Sequence, residues 1–157
     1  MINEDRISIV PTQGISRGIF TAFAGMVLPF VLMLIVSITG NAEVVEEVAK
    51  ALVVATLIVG IPSTKGKLLA AVVFGFLFGF SETVLYSNQL IHSGESTVLL
   101  KRFLLTVPMH IVTTVVVLMF AMIKRWMWLI GLCFAVVVHL IFNYLVAAAW
   151  RFQNKMV

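Results

Sequence analysis

Apolar residues fall into five long runs separated by short polar breaks. The runs extend from Gly18 to Thr39, Val44 to Ile61, Leu68 to Ile91, Phe103 to Ile123 and Trp126 to Trp150. Each is close to the ~20 residues that carry a helix across ~30 Å of hydrocarbon. The pattern predicts an all-α, polytopic integral membrane bundle of five transmembrane helices. The breaks agree with this. Gly40-Asn41 ends the first run, with Asn41 placed as a helix N-cap. Pro62 to Lys67 reads as a compact turn, His92 to Thr97 as a polar loop and Lys124-Arg125 as a tight basic turn. Pro29 and Pro108 lie inside runs, where a membrane helix tolerates them. With no internal repeat and no low-complexity linker, residues 1–157 read as a single membrane domain. The first run does not read as a signal peptide, because Glu4 and Asp5 precede it and no Ala-x-Ala site follows. It is expected to remain in the mature protein.

Composition narrows the class. The chain is 61% hydrophobic and only 11% charged, with a mean hydropathy of +1.11, whereas soluble domains carry about 25% charged residues. A water-soluble enzyme, a disordered tail and a nucleic-acid binder are excluded. The net charge of +4 comes from eleven Lys and Arg, set in short clusters between the runs as membrane-flanking charges are. With the N-terminus in the cytoplasm, Arg6, Arg17, Lys65, Lys67, Lys124 and Arg125 lie inside, and Lys101, Arg102, Arg151 and Lys155 outside. This bias places the N-terminus in the cytoplasm. Cys133 stands alone inside an apolar run, so no disulfide framework exists.

Ionisable groups within the runs carry the chemistry. An ionisable side chain deep in a span costs ~2.5–3.5 kcal/mol on insertion scales and by default marks a function. Here these are Glu46, Glu47, Lys50, Glu82, His110 and His139, joined by the amide of Asn143. At ~1.5 Å per residue, Glu46 and Glu47 lie just below one surface, Glu82 roughly 13 Å deep and His110 roughly 10 Å deep from that same surface. Asn143 and His139 enter from the same side. Four helices thus place acids, imidazoles and an amide in one half of the membrane.

Not every polar residue needs a function. Glu43, at the boundary, is explained by the positive end of the second helix. Of the adjacent pair Glu46-Glu47, one can face the bundle while the other pairs with Lys50 a turn away. A membrane histidine can serve simply as an interhelical hydrogen-bonding group. Glu82 is harder to dismiss, since no basic residue lies within a helical turn and a partner must come from another helix. His139 and Asn143, spaced four apart, share a helix face, as do Glu82 and Tyr86. Gly75-Phe-Leu-Phe-Gly79 permits close helix approach and would bring Glu82 near its neighbours. Phe74, Phe76, Phe78 and Phe80 read as lipid or bundle contacts. Pro108 would open room around His110, and Trp126, Trp128 and Trp150 read as interfacial anchors.

Carboxylates with imidazoles in a partly dry pocket suit hydrolysis. A glutamate can take a proton from water, and a histidine can steady an oxyanion or protonate a leaving amine. Cys133 lies off the His139 face, and neither a Gly-x-Ser-x-Gly elbow nor a His-Glu-x-x-His pair is present. No cofactor is assigned. Two histidines and a glutamate could also hold a divalent metal such as zinc, and the residues leave both routes open.

Glu46-Glu47-Val-Ala-Lys50, Phe78-Gly-Phe-Ser-Glu82, Arg102 ahead of His110-Ile-Val-Thr-Thr114, and His139-Leu-Ile-Phe-Asn143 resemble the four motifs of the PrsW family of intramembrane proteases. That family is related to the CAAX prenyl endopeptidases and their bacterial CPBP relatives, and Glu82, where the CAAX branch has histidine, favours the PrsW side. The resemblance implies that Glu46 or Glu47 activates water, that Glu82 and His110 contribute to the site, and that His139 and Asn143 bind the oxyanion. It further implies cleavage of a membrane protein, such as an anti-sigma-factor-like single-span protein, near the extracytoplasmic face. Two other readings compete. A proton-coupled transporter would need polar groups through both leaflets, and one half of these spans is nearly devoid of them. A catalytically silent scaffold could keep the same interhelical hydrogen bonds.

Overall fold

A computed structural model describes residues 9–92 and 96–153, with side chains over 14–87 and 99–148. The expected loop at 92–97, Arg6, Lys155 and the side chains of Trp150 and Arg151 fall outside the described residues. The described chain is helical, with no strand among it. α1 covers Ile9–Thr39, α2 Ala42–Val53, α3 Thr64–His92, α4 Ser96–Ile123 and α5 Trp128–Gln153. Four helical stretches are long and apolar enough to cross a bilayer: Gly14–Thr39, Thr64–Ser87, Leu99–Ile123 and Arg125–Ala148. They contain four of the five expected spans. α1 and α4 start several residues earlier than the apolar pattern suggests, and both run unbroken through Pro29 and Pro108.

The second helix departs from the expected span. α2 has 12 residues, and Val54–Ile58 then widens into a π-helical turn. It is amphipathic in the reverse sense of a soluble helix. Glu46, Glu47, Lys50 and Ala51 are buried, while Val44, Val48 and Leu52 face outward. Hydrocarbon replaces water as the outer solvent, so the apolar stripe points out and the polar stripe inward. Asn41 stands at the N-cap position without capping through its side chain. Its Nδ2 donates to the Thr39 carbonyl instead, while its own carbonyl accepts the Val45 N–H. Gly40 turns the chain with φ +70°, a left-handed value that favours glycine.

α3 is the central helix, packed against α1 on one side and α4 on the other; α5 lies against α4 and α2. The apolar core contains Phe74 and Phe78 of α3, Val54 and Ile58 of the π turn, Val117 and Leu118 of α4 and Ala135 of α5. The phenylalanine stripe divides by face: Phe74 and Phe78 are buried, Phe76 and Phe80 exposed. Trp126 is exposed as an anchor would be, whereas Trp128 is partly buried against the core.

The Gly75–Gly79 face does what its spacing suggests, and does it at His110. A Cβ on Gly75 would stand 2.7 Å from Ile111 Cα and 2.8 Å from the His110 carbonyl; one on Gly79 would stand 2.9 Å from His110 Cδ2 and from Val107 Cα. Backbone cannot give way cheaply. The Gly75→Ala/Gly79→Ala variant is therefore expected to lose ~1–3 kcal/mol of stability through overpacking, read as a lower unfolding midpoint in detergent. Gly18→Ala, with open space around its Cβ, should leave the midpoint unchanged.

Candidate active site

Four helices meet at one end of the bundle. α2 is amphipathic in reverse and therefore delivers Glu46, Glu47 and Lys50 inward together. The Gly75–Gly79 contact draws α4 against α3, so that His110 sits beside Glu82, and α5 brings His139 and Asn143 against α2. His110 and Glu47 are fully buried, His139 is 3% exposed, and Glu46 and Glu82 are each 8% exposed.

Lys50 is the node of the cluster. Its ammonium donates to Glu47 Oε1, to Thr113 Oγ1 at 2.9 Å and to His110 Nδ1 at 2.9 Å. Three N–H groups therefore meet three acceptors, and the charge also lies 5.3 Å from the Phe78 ring centroid. An ammonium has no acceptor atom, so His110 Nδ1 must be the unprotonated nitrogen. The proton is on Nε2, which donates to Glu82 Oε2. Thr113 and Thr114 return their hydroxyl protons to the His110 carbonyl at 3.3 and 2.8 Å. Every polar atom of His110 is thus spoken for.

His139 has one nitrogen to spare. Nδ1 lies 2.8 Å from Glu47 Oε1, and an ionised carboxylate only accepts, so Nδ1 donates and Nε2 is left over. The His110 and His139 rings meet edge to face at 5.3 Å. Asn143 Nδ2 donates to Glu43 Oε1 at 3.0 Å. Arg102 lies 3.6 Å from Glu82 Oε1 and stacks 3.9 Å from the Tyr86 ring.

A cavity of about 260 Å³ opens beside this network, walled by Glu46, Glu82, Tyr86, Arg102, His139 and Asn143 together with apolar Leu105, Met109 and Phe142. Of the six residues singled out in the sequence, Glu46, Glu82, His139 and Asn143 face this cavity. Glu47 and His110 lie behind it, buried among their partners. The adjacent glutamates do not divide into an inward and an outward one. Both are buried; Glu47 takes the Lys50 pair and Glu46 takes the cavity wall.

Sequence reasoning gave too little weight to Lys50, Arg102 and Glu43. Lys50 counted as a partner for one acid, Arg102 as a loop charge and Glu43 as a helix-end acid. A usable signal was present on α4, where Arg102, Thr106, His110 and Thr113 recur at helical spacing on one face.

Glu46, His110 and His139 form a group that could hold a metal ion, each offering a ligand atom within 4.8 Å of the others. The donor chemistry suits a divalent ion, and Glu46 Oε2 and Glu47 Oε2 are buried without a hydrogen-bond partner. The ionised carboxylates Glu43, Glu46, Glu47 and Glu82 outnumber Lys50 and Arg102 by two charges, which one dication would offset. Ligation by His110 would take a ring nitrogen away from Lys50 or Glu82.

The family model described as PrsW family intramembrane metalloprotease matches residues 9–157. No curated protein matches the chain, and no solved structure does.

Proposed function

Because the chain belongs to the PrsW family of intramembrane metalloproteases, we propose that Glu46 activates water to cut a membrane protein at this cavity. The observation that carries the reading is a buried carboxylate with an unpartnered oxygen on a cavity wall shared with His139 and Asn143. Water held against Glu46 gives up a proton to the carboxylate as its oxygen attacks the scissile carbonyl. Glu46 then returns that proton to the amine as the C–N bond breaks. Asn143 donates its second amide hydrogen to the oxyanion, and protonated His139 donates from Nε2. Glu47, pinned by Lys50, orients His139; Glu82, pinned by Arg102, orients His110. A divalent ion held by Glu46, His110 and His139 would polarise water and carbonyl as a Lewis acid.

Arg17, Lys65, Lys67, Lys124 and Arg125 flank the opposite ends of the spans from the acids, which supports a cytoplasmic N-terminus and an extracytoplasmic site. The substrate class that fits a small, half-apolar cavity is a single-span protein unwound near its extracytoplasmic end, such as an anti-sigma-factor-like protein.

The test is cleavage of candidate single-span substrates in proteoliposomes by the parent, His139→Ala and Glu82→Gln proteins. The parent should cut, and each variant should lose at least ~10²-fold while remaining folded. Folded parent protein that binds these substrates and cuts none supports the scaffold reading instead. Chelator treatment should leave the parental rate within about threefold, because Glu46 acts without an ion; loss restored by added zinc assigns water activation to a metal.

A further inference from the structure

At the other end of the bundle lies a larger cavity, about 620 Å³, between α1 and the start of α3. Gly14, Gly18, Ile61, Pro62, Leu69 and Val73 wall it, and no titratable side chain lines it. Two glycines on α1 keep the groove open: a Cβ on Gly18 would meet nothing within 4 Å.

Its rim is cationic. The Arg17 guanidinium reaches across to donate to the Gly60 carbonyl, possible because Gly60 has no side chain; a Cβ there would fall 1.7 Å from Nη1. A guanidinium has five N–H donors, so that bond leaves others for an anion. On α3, Lys65 is one turn before Leu69 and Lys67 one turn after Ser63, so both flank the wall. Lys124 and Arg125 share this end. Glu43, Glu46, Glu47 and Glu82, the acids among the described residues, all lie in the active-site half. The cations here have no internal counter-ion among the described residues, and the groove beside them accepts hydrocarbon.

We infer that this groove is a binding site for one anionic phospholipid, with an acyl chain between α1 and α3 and the phosphate at Arg17, Lys65 and Lys67. A helix from another chain would bury the groove but leave the charges unbalanced; a phospholipid satisfies both. The site stands apart from the peptidase cavity and does not depend on its chemistry.

Native mass spectrometry of protein released from nanodiscs tests it, using phosphatidylcholine doped with phosphatidylglycerol. The parent should retain one phosphatidylglycerol in preference to phosphatidylcholine. Lys65→Gln/Lys67→Gln, both on the surface, should weaken that retention by about fivefold per charge, and Gly18→Leu should abolish it by filling the groove. Circular dichroism on the same samples verifies that each variant is folded. Equal retention of the two lipids by the parent overturns the inference. So does phosphatidylglycerol retention indifferent to the lysines, or binding that survives Gly18→Leu.

Discussion

Glu46→Gln is expected to abolish peptide-bond cleavage, with a loss of ~10²–10⁴-fold, while leaving the fold at least as stable as the parent. Its neighbour behaves differently. Glu46 has a buried oxygen without a partner and faces the cavity, so the amide removes a poorly compensated buried charge along with the base. Glu47 Oε1 serves Lys50 and His139 together. Glu47→Gln leaves an ammonium buried without its anion, and breaking such a pair from one side typically costs ~3–5 kcal/mol. Cleavage rate and thermal midpoint measured on the same proteoliposome samples separate the two. Glu46→Gln should be silent and stable; Glu47→Gln should be silent and unstable. A Glu46→Gln protein that cuts at the parental rate moves the base to Glu47.

Lys50→Met should be the most destabilising single substitution in the site, again by ~3–5 kcal/mol. Methionine fills the volume of the lysine stem but provides none of its three donors. Glu47 keeps only His139 as a partner, and both His110 Nδ1 and Thr113 Oγ1 lose a donor. Cleavage should fall with stability, because both imidazoles are held through this one cation. The Lys50→Met/Glu47→Gln double variant removes both charges and should be markedly less unstable than the two single losses combined. Unfolding free energies for the four proteins, from denaturant titration in detergent, give the coupling directly. Strict additivity would show that Lys50 and Glu47 do not act as a pair.

The helical architecture and the end of the bundle that holds the site were legible in the sequence because hydrocarbon leaves so few options. Long apolar runs can only be helices, and a charge inside one must find a partner. Glu82 illustrates this: lacking a neighbour on its own helix, it meets Arg102 and His110 from α4. The division of labour between Glu46 and Glu47 was not legible. It depends on the rotation of α2 about its axis, which a 12-residue helix with both acids buried does not reveal through hydropathy alone. Lys50 was hidden for a related reason. Spacing shows that it can reach one acid, whereas its bonds to His110 and Thr113 span sixty residues or more. Arg102 reads as a flanking charge until α4 is seen to begin at Ser96 rather than Phe103.

The widened turn at Val54–Ile58 makes the register of the acids depend on chain length at a distant place. Val59 N–H reaches back five residues to the Val54 carbonyl at 3.0 Å, accommodating one residue more than an α-turn would hold. Removing a residue from that stretch would tighten the turn and swing everything before it by about 100° relative to α3. Glu46, Glu47 and Lys50 would then rotate toward the acyl chains, and Val44, Val48 and Leu52 toward the imidazoles. A single-codon deletion two turns away from the nearest acid can therefore disarm the enzyme as completely as replacing that acid.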